Sequence, residues 1–145
     1  MTETEQLEYE SLVRELEEAN TWIESRRKNS GIDFYDPNSG QMKAHLSKAN
    51  TVLVVAGNRF GKSTFGACEL TYHLTKRYPS WYPKDRRFTG PIRAVVSATE
   101  FPIVTRVIEP KIFQYLPRDF YTFKRTAQGY LSQIRCKDGS TVDIL

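Results

Sequence analysis

The sequence contains few of the residue types that disulfide frameworks and metal centres need. It has two cysteines and two histidines in 145 residues. Cys68 and Cys136 lie far apart without metal-type spacing, which excludes a disulfide scaffold and favours a reducing compartment. His45 and His73 are isolated, and we expect structural or surface roles for both. No apolar run approaches the roughly 20 residues that span a membrane, and the acidic N-terminus argues against a secretory signal. We therefore expect a cytosolic protein without a membrane partner.

The chain is rich enough in apolar residues to fold, and its charge is unevenly distributed. Hydrophobic residues make up 39% and aromatic residues 12%, which excludes intrinsic disorder and suits one domain with a core. Residues 1–30 sum to −4 and residues 31–145 to +8. A basic body favours partners that carry phosphate, such as nucleotide or nucleic acid. A solvated basic surface is the alternative.

Residues 1–30 form the first predicted unit, an acidic amphipathic helix over residues 5–28. Apolar residues recur there at helical spacing: Tyr9, Leu12, Val13, Leu16, Ala19, Trp22 and Ile23. Asn29, Ser30 and Gly31 predict its end. The apolar stripe predicts docking on the chain's own body, with docking on another protein as the alternative.

Residues 31–145 predict an α/β domain with a parallel sheet flanked by helices. The apolar runs 51–55 and 92–96 are typical of buried parallel strands. Helices are predicted over residues 41–47, 62–78, 101–109 and 111–116, with Pro110 stopping or kinking the chain between the last two. Strands are predicted over residues 121–125, 130–136 and 140–145, the last two forming a C-terminal β-hairpin through residues 137–139.

The segment AGNRFGKS, residues 56–63, is one residue away from the phosphate-loop pattern G-x-x-x-x-G-K-[ST]. Ala56 stands where the first glycine is expected, and Gly57 follows it. A strand, small residues and then Lys and Ser opening a helix are the parts that such a loop needs. The pattern predicts that ATP and magnesium bind here, with Lys62 at the β- and γ-phosphates, Ser63 at the metal, and the loop residues forming the cradle: Ala56, Gly57, Asn58, Arg59, Phe60, Gly61, Lys62, Ser63 and Thr64.

Three further residues are candidates for the nucleotide. Gln41 precedes the loop and can both donate to and accept from the edge of adenine, while Tyr35 can stack on its face. A surface glutamine is the alternative. Arg59 is a candidate γ-phosphate sensor, or else it points to solvent or pairs with a carboxylate.

The loop from Tyr78 to Phe88 combines aromatic and basic residues. Trp81 and Tyr82 supply aromatic area, and Lys84, Arg86 and Arg87 supply positive charge. These side chains are candidates for contact with DNA phosphates or with the nucleotide of a neighbouring subunit. An internally packed loop with solvated charges is the alternative.

Gln41, AGNRFGKSTFGACE and HLTKRYPSWYPKDRRFTGPIRAVV together resemble the N-terminal ATPase region of phage terminase large subunits, the motors that package double-stranded DNA. The Asn-Arg pair in the loop and the Tyr-Pro-x-Trp…Arg-Arg-Phe…Pro segment are the specific parts. The resemblance implies a RecA-like or helicase-like P-loop NTPase sheet, adenine recognition by Gln41, and ATP with magnesium. It also implies a ring of large subunits around DNA, together with the small terminase subunit and the capsid portal, in the cytoplasm of an infected cell.

The sequence departs from that family at its end. Family members continue into an apolar strand closing on Asp-Glu and then a nuclease domain, whereas Asp143 here is followed only by Ile144 and Leu145. We therefore expect an incomplete ATPase domain that binds ATP without turning it over. A helicase-type ATPase, a small nucleotide kinase and a non-enzymatic interaction module are the competing interpretations.

Overall fold

Helices α3 and α5 pack on one face of a four-stranded sheet. The computed structural model describes residues 2–57 and 59–145. Its elements, in chain order, are α1 (Glu3–Asn29), α2 (Ser39–Leu46), α3 (Lys62–Thr75), β1 (Arg93–Val96), α4 (Phe101–Ile103), a π-helical turn (Val104–Ile108), α5 (Glu109–Tyr115), β2 (Tyr121–Arg125), β3 (Leu131–Cys136) and β4 (Thr141–Ile144). Short 3₁₀ turns span Gly31–Phe34 and Lys84–Arg86. The α/β class expected from the sequence is confirmed.

The sheet is mixed, and the expectation of a parallel sheet is wrong. Its order is β1-β4-β3-β2, with β1 parallel to β4 and the other two pairs antiparallel. Short connections at residues 126–130 and 137–140 join β2 to β3 and β3 to β4, and connections this short allow only antiparallel pairing. Gly139 has a φ of +90° in the second turn, so the predicted C-terminal hairpin is confirmed.

The main core lies between the sheet and the helices α3 and α5. Its fully buried members come from both layers: Ala67, Leu74, Val104, Ile112, Leu116, Leu131, Ile134, Cys136, Val142 and Ile144. Ile134 and Val142 face each other across the β3–β4 pair, and Ala94 pairs with Val142 from the other side. These cross-strand contacts set the register, because slipping one residue would turn the apolar side chains to the open face.

The run from Thr51 to Val55 is not a strand in the structure, although the sequence predicts a buried one. Its backbone is irregular, and Leu53 and Val55 are 85% and 84% exposed. A strand buried on both faces needs a pairing partner and a covering layer on each side. Here β1 takes β4 as its parallel partner, and Val95 of β1 is itself 62% exposed. The second predicted strand, 92–96, is therefore present, but it is half-buried on one face and exposed on the other.

The predicted break at Pro110 takes the form of a π-helical turn. The helical backbone runs on from Phe101 to Tyr115, and the π turn of residues 104–108 comes just before the proline. Pro110 has no N–H to donate within this continuous helix, and it follows directly on the π turn, where the regular bonding pattern is already interrupted. Such one-turn π segments let a helix absorb an irregularity without ending.

Helix α1 does not dock on the body along its length, contrary to the expectation from its apolar stripe. It begins with a capping box between Thr2 and Glu5, and none of the residues from Glu3 to Asn29 is buried. Within the described residues, the rest of the chain bonds to its last turn, through the pair Arg26–Asp33 at 3.4 Å and a bond from the Arg118 N–H to the Asn29 carbonyl oxygen. The capping box, the acidic first turn and the basic last turn stabilise α1 through its helix dipole, without packing against the body.

None of the helices within residues 2–57 and 59–145 has the length and apolar character needed to cross a bilayer.

Candidate functional site

The phosphate-loop residues lie at the N-terminus of α3. Lys62 is the first residue of this helix, and Gly61 precedes it with a φ of +85°, a left-handed conformation that glycine adopts without strain. The Lys62 ammonium donates to the carbonyl oxygens of Ala56 and Gly57, the latter at 3.0 Å. The lysine therefore joins the start of α3 to the start of the loop, and its positive charge lies near the first N–H groups of the helix.

The remaining loop residues surround a small concave site of about 350 Å³. Its lining residues are Gly57, Arg59, Phe60, Gly61, Lys62, Ser63, Thr64 and Lys111. Ser63 is exposed and Thr64 half-buried in the first turn of α3, while Asn58 lies outside the described residues. This volume lies at the small end of ligand pockets, and the described lining residues include three cations and no carboxylate.

Arg59 has a φ of +67°, which is uncommon for a residue with a side chain. Such a conformation costs about 1–3 kcal/mol and is often found in functional loops. The Arg59 side chain is exposed at the mouth of the cradle. Its role as a γ-phosphate sensor stays a prediction.

Gln41 lies beside the loop, but its side-chain amide already has partners in the chain. Nε2 donates to the Gly61 carbonyl oxygen at 2.9 Å, and Oε1 accepts from the Asn38 N–H at 2.9 Å. Gln41 therefore contacts the loop directly in the structure. Adenine recognition by this residue stays a prediction.

Tyr35 belongs to an aromatic cluster rather than to the mouth of the cradle. Its ring packs edge-on against His45 and Tyr115, and its hydroxyl lies 3.0 Å from His45 Nε2. Tyr72 of α3 and Tyr82 extend the cluster. Adenine stacking by Tyr35 stays a prediction, and it would require the ring to leave these contacts.

The arginines of the loop from Tyr78 to Phe88 have partners inside the chain. Arg87 donates to the carbonyl oxygens of Pro79 and Tyr82 at 3.1 and 2.8 Å. Trp81 is half-buried against Tyr72, whereas Lys84 is exposed. These contacts are those of the internally packed alternative, and a DNA or subunit contact of this loop stays a prediction.

Glu69 of α3 accepts hydrogen bonds from this loop and from α2, and sequence reasoning missed it. It accepts from the Tyr82 hydroxyl and from His45 Nδ1, both at 2.5 Å, and from Arg86 Nη2 at 3.0 Å. His73 Nε2 is 3.3 Å away. Burial alone would raise the pKa of Glu69, but the bonds from His45, His73 and Tyr82 lower it to about 2. Only the spacing of Glu69 and His73, four residues apart on one helix, signals part of this cluster in the sequence.

Lys111 is a second residue that sequence reasoning missed. It is the third residue of α5, far from the loop in sequence, yet it lines the cradle together with Lys62 and Ser63. No local pattern in the sequence marks it, because its position depends on how α5 packs against α3.

Comparison with known proteins gives one short match. The large subunit of terminase from Salmonella phage P22 is 50% identical to this chain over 38 residues, which is 25% of this chain and 8% of that protein. No family model matches the chain. No solved structure matches it. The match indicates a weak relation to a terminase large subunit.

Proposed function

We propose that this chain binds ATP with magnesium at the loop of residues 56–64. The observation that carries the proposal is the position of Lys62, whose ammonium sits against the loop at the N-terminus of a 14-residue helix. Helix N-termini attract anions through free N–H groups and the helix dipole. On binding, Lys62 exchanges the carbonyl oxygens of Ala56 and Gly57 for phosphate oxygens, which are stronger charge-assisted partners.

The residues present suit a triphosphate with its metal. Arg59, Lys62 and Lys111 bring three positive charges to the cradle, and the Ser63 hydroxyl, at the start of the helix, would bind the magnesium ion. The nucleotide, when bound, supplies the phosphoanhydride bond, and magnesium neutralises part of its charge. The chain's contribution is to hold and orient the phosphates in a P-loop NTPase arrangement.

In the wider proposal, this chain is the ATP-binding part of a viral DNA-packaging motor. The 38-residue match to a terminase large subunit and the loop segment AGNRFGKS support it. Double-stranded DNA, other large subunits in a ring, the small terminase subunit and the capsid portal are the proposed partners, in the cytoplasm of an infected cell. Because the match spans 8% of the relative, each of these is a proposal.

A second candidate is an interaction module in which α1 binds another protein. Leu7, Tyr9, Leu12, Leu16 and Trp22 are all exposed on this helix. A stripe of apolar side chains among glutamates is typical of a helix that docks in a groove with basic edges. Helicase-type ATPases and small nucleotide kinases remain the enzymatic alternatives.

The test is a titration of the purified chain with fluorescent ATP in the presence of magnesium. Lys62→Ala should weaken binding by about 1.5–3 kcal/mol, the usual worth of a hydrogen bond to a charged group. Lys137→Ala is the matched control, since this exposed lysine lies in the β3–β4 turn. Equal affinities of the wild-type chain and Lys62→Ala would contradict the assignment of the site.

A further inference from the structure

The amide of Gln41 binds the backbone of the phosphate loop. Its Nε2 atom donates to the Gly61 carbonyl oxygen at 2.9 Å, and the residue is 7% exposed. The contact is close, because a Cβ atom added at Gly61 would lie 2.5 Å from Nε2. The amide is therefore packed directly on the residue that precedes Lys62.

The carbonyl of Gly61 and the N–H of Lys62 belong to the same peptide plane. The peptide unit is rigid, and its oxygen and hydrogen point in opposite directions. The Gly61 oxygen accepts from the Phe65 N–H at 2.8 Å, in the first turn of α3, and from Gln41 Nε2, so these two donors together fix the direction of the Lys62 N–H. This N–H is one of the free donors at the start of α3 that the proposed phosphate site uses.

Asn38 holds the preceding peptide in the same way. Its Nδ2 atom donates to the Phe60 carbonyl oxygen at 3.3 Å, while its Oδ1 atom caps α2 by accepting from the Gln41 N–H at 2.9 Å. The Phe60 ring lies against Gly40, where a Cβ atom would come within 2.4 Å of it. Two successive carbonyl groups of the loop are thus bound by the N-terminus of α2.

We propose that Gln41 and Asn38 are positioning residues that set the N–H groups of the loop for phosphate, whatever base the nucleotide carries. The proposal rests on the proposed nucleotide site and names what α2 contributes to it. Donors held in place before the ligand arrives lose less entropy on binding. Loss of one net hydrogen bond corresponds to about a two- to tenfold loss in affinity.

The experiment uses isosteric variants that remove a donor and keep the helix cap. Gln41→Glu retains an acceptor for the Asn38 N–H but has no donor for Gly61, and glutamate is a normal third residue of a capping box. Asn38→Asp retains the cap and loses the donor for Phe60. Gln41→Met removes the donor without adding charge but also removes the acceptor for the Asn38 N–H, and Ser39→Glu, on the exposed first position of α2, controls for the charge added in Gln41→Glu.

The probes are the magnesium complexes of ATP, GTP and inorganic tripolyphosphate, measured by calorimetric titration. We expect both Gln41 variants to weaken all three probes by the same factor, beyond the effect of Ser39→Glu, with an unfolding temperature within about 2 °C of wild type for Gln41→Glu. A loss with ATP but not with tripolyphosphate would assign Gln41 to the base and overturn the proposal. Affinities of both Gln41 variants that equal the wild-type affinity for every probe would overturn the proposal as well. A wild-type chain that binds none of the probes would overturn the proposed function together with this inference.

Discussion

Arg86 donates from Nη2 to Oε1 of Glu69 at 3.0 Å and from Nη1 to the carbonyl oxygens of His45 and Ser47. One guanidinium thus joins the loop of residues 78–88 to α3 and to the C-terminal end of α2. The planar fork of donors on arginine suits this combination, and a lysine at the same place has only a point charge to offer. Since α2 also contacts the phosphate loop through Gln41, Arg86 supports the site from a distance.

Arg86→Ala should lower the free energy of unfolding by about 3 kcal/mol, because the variant removes a charge-assisted bond to the largely buried Glu69 carboxylate and the donor shared by the His45 and Ser47 carbonyl oxygens. Urea denaturation measures the change. Lys84→Ala, which alters an exposed residue of the same loop, should stay within about 0.5 kcal/mol of wild type. If Arg86→Ala were as stable as Lys84→Ala, the arginine would be free for an external contact, as the DNA-binding prediction requires.

The free energy of unfolding should fall at acid pH, because the Glu69 carboxylate becomes protonated. The folded pKa of this carboxyl is about 2, below the ordinary value of 4.5. A lowered pKa means that the carboxylate stabilises the folded chain fully above about pH 4.5, and that this contribution is lost as the pH falls towards 2. The contribution is on the order of 3 kcal/mol from a shift of this size.

The measurement is the free energy of unfolding of the wild-type chain and of Glu69→Gln between pH 7 and pH 3. The difference between the two should be largest at pH 7 and shrink at acid pH, since protonated glutamic acid and glutamine are both neutral. A difference that is the same at every pH would mean that the charge of Glu69 contributes nothing to folding.

Lys111→Met should weaken magnesium-ATP binding by about fivefold, because the ammonium lies at the wall of the proposed phosphate cradle and a long-range charge contact is worth about 1 kcal/mol near a surface. Fluorescent-nucleotide titration at low salt measures it. Lys124→Met, on exposed strand β2, has the same charge change away from the cradle. Equal losses in both variants would show a general effect of net charge rather than a contact of Lys111.

Local signals in the sequence predicted the parts of the fold that depend on neighbours in the chain. The turn at residues 137–139 between two predicted strands predicted the hairpin, and Gly61 and Lys62 predicted where α3 begins. The contacts that join distant segments were not predictable, because no spacing marks them. Glu69 meets His45 across 24 positions, and Lys111 reaches the cradle only through helix packing.

The apolar run of residues 51–55 shows the limit of pattern reasoning most clearly. Its composition is that of a buried strand, yet Leu53 is 85% exposed. Burial depends on whether a partner strand and a covering layer are available, and a window of five residues carries no information about either.

Leu53→Ala should therefore change the free energy of unfolding by no more than about 0.5 kcal/mol, as expected for an exposed site. Leu131→Ala is the matched control: this leucine is fully buried in β3, and truncating it should cost about 2–5 kcal/mol through lost burial and a cavity. Both variants are compared with wild type by urea denaturation at one pH and salt concentration. A cost for Leu53→Ala in the range of the control would mean that residues 51–55 pack as a buried strand in solution, as their sequence predicts.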